Sequence, residues 1–167
     1  MEQTMIKTEN LSKRSGSFAL QDIHFELPAG YICGLIGENG AGKTTLLNIL
    51  SGLYEYDGTI YIAGEEYRAH QMDLQQEIGF VFHEEWFDDW DSLIANSRHY
   101  GRYYKNYDEA LLKTYFTRFR LDEKRKYKKL SKGEKLKFAF AFALAHHPKL
   151  LLLDEPSANF DQTFREE

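Results

Sequence analysis

An α/β fold with a helical insertion is what this sequence predicts, and three observations predict it. The apolar run 31–36 (YICGLI) leads into Gly37-Glu38-Asn39-Gly40-Ala41-Gly42-Lys43-Thr44-Thr45, and then into Leu46, Leu47, Ile49 and Leu50 at helical spacing. That order reads strand, loop, helix. A second apolar run of strand length, Leu150 to Leu153, ends in Asp154-Glu155-Pro156, and it suits a strand buried on both faces of a parallel sheet. Between them the pattern turns helical from His83 onward, with Leu111, Leu112, Tyr115, Phe116 and Phe119 on one face.

The elements follow in chain order. Met5 to Leu11 and Leu20 to Leu27 read as early strands, since Ile23, Phe25 and Leu27 alternate with His24 and Glu26. Pro28-Ala29-Gly30 is a turn. The run 31–36 is expected to be a strand, with Cys33 a small buried residue within it. A helix starts near Lys43 and stops at Gly52. Thr59 to Ile62 is a strand followed by a turn at Ala63-Gly64, and Ile78 to Phe82 is a short buried strand. Asp108 should N-cap the amphipathic helix after it. Ser131 and Glu134 form S-x-x-E, a capping box, ahead of the apolar helix Leu136 to Ala145. The β/α pattern resumes at Lys149. The expected organisation is one domain over 1–167, with a core of 1–82 and 148–167 and a helical subdomain of 83–147.

Composition narrows the function classes. The length allows one domain with a real core. A formal charge of −5, from 21 basic and 26 acidic residues, argues against a general nucleic-acid binder. One cysteine excludes an internal disulfide. No apolar segment approaches bilayer length, and no charged stretch precedes an apolar one at the start, so a soluble intracellular domain without a signal peptide is expected.

The segment 37–45 fits G-x-x-x-x-G-K-[ST], the phosphate-binding loop. Its glycines let the backbone aim several N–H groups at phosphate oxygens, and the following helix adds its positive end. Lys43 can reach the β- and γ-phosphates, and the Thr44 hydroxyl can ligate Mg²⁺. Asp154, at the carboxyl end of a strand, can hold Mg²⁺ through water. Glu155 can orient or deprotonate an attacking water.

The order of motifs is more specific than any one of them. The loop 37–45 comes first, then Leu130-Ser131-Lys132-Gly133-Glu134 opening a helix, then Leu150 to Leu153 with Asp154-Glu155-Pro156, then Ser157-Ala158-Asn159-Phe160-Asp161. Here the chain resembles the ATP-binding cassette ATPases, the nucleotide-binding subunits of ABC transporters. The stretch from Lys137 to Asp161 is most similar to bacterial exporter-type cassettes. The resemblance implies a RecA-like P-loop NTPase core with an inserted helical subdomain and an N-terminal antiparallel β portion. It implies ATP and Mg²⁺ as ligands, with Gly37, Glu38, Asn39, Gly40, Ala41, Gly42, Lys43, Thr44 and Thr45 around the phosphates. It also implies a head-to-tail dimer in which Ser131, Gly133 and Asp161 of one copy face ATP on the other. A transmembrane permease subunit would be the partner, at the inner face of the cell membrane, with no nucleic acid. Two other readings stand beside it: a soluble cassette ATPase acting on DNA or ribosomes, and a fragment that binds nucleotide without hydrolysing it.

Two local patterns bear on partners. The acidic-aromatic segment 84–91 (EEWFDDWD) lacks the spacing of a calcium loop and reads as a docking surface for the membrane subunit. The basic residues Lys124, Arg125, Lys126, Lys128, Lys129, Lys132, Lys135 and Lys137 read as a solvated face near the signature.

The chain departs from the family pattern in three places. His83 stands where the family has the Q-loop glutamine, so its part in positioning Mg²⁺ and water would fall to an imidazole. Ser15 aligns with the family's adenine-stacking aromatic, which makes Phe18 the substitute candidate. The family's next strand and its switch histidine would lie beyond Glu167, and a cassette without them is expected to be inactive and poorly stable.

Overall fold

A computed structural model describes residues 3–82 and 86–154. The chain divides into two compact units, Met1–Gln75 and Gln76–Glu167.

The first unit is built on a long hairpin, β1 (Thr4–Ser15) and β2 (Phe18–Pro28), joined by a two-residue turn at Gly16 and Ser17. Both strands exceed their expected bounds. The helix α1 (Lys43–Leu50) follows, then β3 (Asp57–Ile62) and the two-residue β4 (Glu65–Glu66). These four strands form one antiparallel sheet in the order β2-β1-β3-β4. β1 and β2 shift register between Thr8 and Leu11, around Asn10 at φ +52° and next to a side-chain bridge. The buried Thr8 hydroxyl donates to Ile23 O and accepts from Phe25 N, both at 3.1 Å. The unit buries Ile6, Leu11, Ile60 and Ile62 of the sheet and Leu46, Ile49 and Leu50 of α1. It closes with the short helix α2 (Gln71–Leu74).

α1 stops where Gly52 predicts, and the geometry shows why. Gly52 adopts φ +79° just past the helix. Gly52 N donates to Ile49 O and Leu53 N to Asn48 O, both at 2.9 Å. This is a Schellman motif, which satisfies carbonyls that the last turn leaves open.

One expectation in this unit is overturned. The run 31–36 is not a strand: it lies outside both sheets, and Tyr31, Ile32, Leu35 and Ile36 are exposed. An apolar run becomes a strand only through a ladder, and no described strand forms one with it. Cys33 is accordingly exposed rather than buried.

The second unit pairs β5 (Ile78–Val81) in parallel with β6 (Leu150–Leu153), in the register Ile78↔Leu150 to Val81↔Leu153. Between them come α3 (Leu93–Gly101), α4 (Glu109–Arg118) and α5 (Lys132–Leu144). Asp108 caps α4 as expected, its Oδ1 accepting from Ala110 N at 2.8 Å and Leu111 N at 2.9 Å. Leu93, Leu112, Phe116, Phe138 and Ala141 form the helical core. Phe87 packs into that core. Its ring lies 4.5 Å from Phe138 and 5.4 Å from Tyr127, centroid to centroid. One aromatic of the acidic segment is therefore an anchor rather than surface. The buried Asn96 holds the same segment by its backbone, accepting from Asp88 N at 2.8 Å and donating to Asp88 O at 2.9 Å.

Candidate functional site

The segment that fits the phosphate-loop motif, Gly37 to Thr45, lies in the first unit, and its residues 37–41 are exposed. Gly42 is the N-cap of α1 and holds φ +98°. A β-carbon there would come within 2.7 Å of both Phe18 Cζ and Leu20 Cδ2. Glycine is needed twice over, for its dihedral and for its missing side chain. The sequence marked Gly42 from its motif, but its packing against Phe18 and Leu20 is read only from the structure.

Lys43 Nζ donates to Gly37 O at 2.8 Å and to Glu38 O at 2.9 Å. The ammonium thus lies folded back onto the loop. An ammonium held by two carbonyls, beside the N-terminal end of a helix, suits an anion carrying several oxygens. These residues fit a nucleotide's phosphates. Thr44 follows on the first turn of α1 and presents an exposed residue there, consistent with a hydroxyl ligand to a hard cation. Phe18 opens β2 and its ring edge lies against the loop at Gly42. That places the adenine-stacking candidate beside the phosphate site within one unit.

Asp154 leaves the carboxyl end of β6, and its N–H donates to Val81 O at 3.0 Å. The ladder of β5 and β6 thus extends one residue further and fixes the backbone that carries this carboxylate. His83, Glu155 and Asp161 lie outside the described residues.

The signature segment forms in the second unit. Ser131 N-caps α5, its Oγ accepting from Glu134 N at 3.2 Å, while Glu134 Oε2 accepts from Ser131 N at 2.8 Å. The expected capping box is complete. Arg125 bonds to Glu134 Oε1 and, at 2.6 Å, to Lys129 O, a support that the sequence did not reveal. Partial burial raises the Glu134 carboxyl, but hydrogen bonds from Ser131 and the Arg125 guanidinium outweigh it and hold the group below its ordinary value. Glu134 is thereby kept as an anion at the helix start. The exposed Ser131 and half-buried Gly133 are left at the N-terminus of α5.

Trp86 and Trp90 are 55% and 67% exposed. Lys128 Nζ lies over the Trp90 ring, and Lys126 Nζ stands 5.9 Å from its centroid. Part of the basic stretch is therefore folded onto the aromatic segment. Among the described residues, no group of three or more His, Cys, Asp or Glu side chains could hold a metal ion, and no helix is long and apolar enough to cross a membrane.

Comparison with known proteins supplies the family. Residues 20–158 match the model of the family described as ABC transporter. The chain is 39% identical over 172 residues to the probable sulfate/thiosulfate import ATP-binding protein CysA of Chlorella vulgaris, covering 97% of this chain and 71% of that one. It is 32% identical over 165 residues to the ABC transporter ATP-binding protein YtrB of Bacillus subtilis, covering 96% and 56%. It spans about half the length of most relatives it matches, for example 48% of CysA of Bacillus cereus. Among solved structures, an ATP-binding subunit of an ABC transporter superposes with a TM-score of 0.86 at 25% identity, covering 98% of this chain and 71% of that one. A bacterial Atm1-family ABC exporter with ATP bound gives 0.82 at 26% identity, covering 99% and 32%. These names span import and export, so the match does not single out the exporter type. A P-loop opening α1, the capped signature helix and β6 ending in Asp154 agree with the sequence match, and the chain belongs to the ABC transporter ATP-binding family.

Proposed function

We propose that this chain forms the nucleotide-binding part of an ABC transporter ATPase. The observation that carries the proposal is Lys43 folded over an exposed Gly-rich loop at the start of α1. The loop N–H groups of Gly37 to Thr45 would hold the phosphates, with Lys43 on the β/γ oxygens. Phe18 would stack on adenine. Thr44 and Asp154 would ligate Mg²⁺, with His83 in the glutamine's place. When bound, Mg-ATP supplies the phosphoanhydride bond and a cation that offsets its charge. Glu155 would orient water and accept its proton. Ser131, Gly133 and Asp161 would face ATP on a second copy, in a head-to-tail dimer. The 1–82 and 148–167 segments would act as the core, and 83–147 as the helical subdomain.

Closure around ATP would then drive a transmembrane permease subunit through its differential affinity for the two states. Trp86 and Trp90, exposed among acids, support docking of that subunit in the segment 86–91. The proposed place is the cytoplasmic face of the membrane. Glu155→Gln in the whole protein is the test. An amide cannot accept the water's proton, so phosphate release should fall at least about 100-fold while Mg-ATP is still bound. Release at the parent rate would remove Glu155 from its role.

A further inference from the structure

The far end of α1 carries a second set of polar side chains. An ideal β-carbon on Gly52 would lie 2.5 Å from Gln75 Nε2, 2.6 Å from Gln71 Nε2 and 2.7 Å from Tyr67 Oη. Three polar heads thus converge on the residue that ends the helix. Gln75 Nε2 also donates to Ser51 O at 3.2 Å, so an amide side chain holds the C-cap carbonyl. Tyr67 is buried, and its N–H donates to Ile60 O at 2.8 Å, which ties this cluster to the sheet. Burial pushes the Tyr67 phenol up to about 12, with the Gln75 amide acting the other way. The hydroxyl therefore stays protonated at any working pH, and it lies buried against Gly52 without a hydrogen-bond partner.

We infer that Gln75 is a positioning residue for the phosphate loop, its amide clamping the C-terminal end of α1, with Tyr67 and Gln71 packed at Gly52, so that the N-terminal end presents Lys43 correctly. The inference rests on the P-loop reading above. The mechanical argument is short. α1 has eight residues, about 12 Å of helix, too short to be stable alone. Its N-terminal side continues into exposed loop, so restraint must come from its buried face and its C-terminal end. A tilt of about 5° about that end would move the loop end by about 1 Å over this length. A misplacement of that order is enough to weaken a preorganised site severely. The Gln75 hydrogen bond to the C-cap carbonyl fixes direction as well as depth, because hydrogen bonds are angular where apolar contacts are not.

Gln75→Met keeps the side-chain length and removes the amide, and Tyr67→Phe, which removes a hydroxyl without a hydrogen-bond partner, is the control. Both are to be made in the whole protein beside Lys43→Ala, with urea midpoints recorded. Affinity is measured by titration with Mg-ATP under conditions where each variant is folded. The expected result is a Kd about tenfold higher for Gln75→Met and within about twofold of the parent for Tyr67→Phe. The backbone amide NMR signals of residues 40–44, remote from the substitutions, should shift in Gln75→Met and stay in place in Tyr67→Phe. A purely structural brace would lower the urea midpoint and leave the affinity of the folded protein and those signals unchanged, which would overturn the inference. The Lys43→Ala arm separates the two claims. If the parent binds and Lys43→Ala does not, an unchanged Gln75→Met refutes the clamp alone. If Lys43→Ala binds as the parent does, the P-loop reading fails and the clamp with it.

Discussion

Gly42→Ala tests whether the phosphate loop is packed as described. The substitution adds one methyl group at a residue with φ +98°. An L-residue in left-handed backbone costs about 1–2 kcal/mol. The new β-carbon would also lie 2.7 Å from Phe18 Cζ and 2.7 Å from Leu20 Cδ2, where carbon pairs rest at about 3.5–4.0 Å. Each neighbour must withdraw by roughly 1 Å, and overpacking of that kind costs about 1–3 kcal/mol. Phe18 is half-buried and can yield, whereas Leu20 is buried and cannot yield as readily, so a total of about 2–5 kcal/mol is expected. That is a large share of a typical stability of about 5–15 kcal/mol. Urea unfolding of the parent, Gly42→Ala, Phe18→Ala and the double variant gives the cycle. The methyl should cost about 1 kcal/mol less once the Phe18 ring is gone. A Gly42→Ala variant within 0.5 kcal/mol of the parent, or a cycle without coupling, would refute the packing of Phe18 on the loop.

Other expectations follow from the second unit. Trp86→Ala combined with Trp90→Ala should leave basal ATP hydrolysis of the whole protein largely intact and reduce co-purification of its membrane subunit from detergent; full recovery of the complex would count against docking there. His146 is 1% exposed, stacks on Tyr104 at 4.0 Å and interacts through Nε2 with Ile78 O at 3.2 Å. Burial lowers its pKa from the ordinary 6.5. The unfolded chain therefore takes up the proton first, so stability is full above about pH 6.5 and declines as pH falls toward the folded value, by at most about 1.4 kcal/mol per pH unit. His146→Gln should flatten the fall in urea midpoint between pH 7 and pH 5; an unchanged slope would assign that fall to other groups.

What could be read from the sequence was set by local chemistry. Gly52, Asp108 and the Ser131–Glu134 pair each act within a few residues of themselves, and each ends or begins a helix as its type predicts. β6 was readable as a strand from four leucines in a row, and the parallel register with β5 agrees, although of the four only Leu152 is buried in the structure. The run 31–36 misled for the converse reason. Its apolar residues describe a preference for burial, while strand structure depends on partners elsewhere, and the segment lies exposed outside both sheets. Phe87 was hidden by its acidic neighbours, since composition over eight residues cannot show which ring turns inward. The packing of Phe18 against Gly42 joins residues 24 positions apart, and nothing in a linear pattern encodes that contact. The Gln75 hydrogen bond to Ser51 O, and the approach of Tyr67 and Gln71 to Gly52, were invisible in the same way.

The central claim is that residues 37–45 bind the phosphates of a nucleotide with Lys43 as their cation. A titration of the whole protein with a fluorescent ATP analogue and Mg²⁺, parent against Lys43→Ala, tests it most directly. Loss of a charge-assisted contact of this kind is worth about 1.5–3 kcal/mol, so Kd should rise by roughly 10- to 150-fold. Equal affinity in the two proteins would contradict the assignment of this loop as the phosphate site.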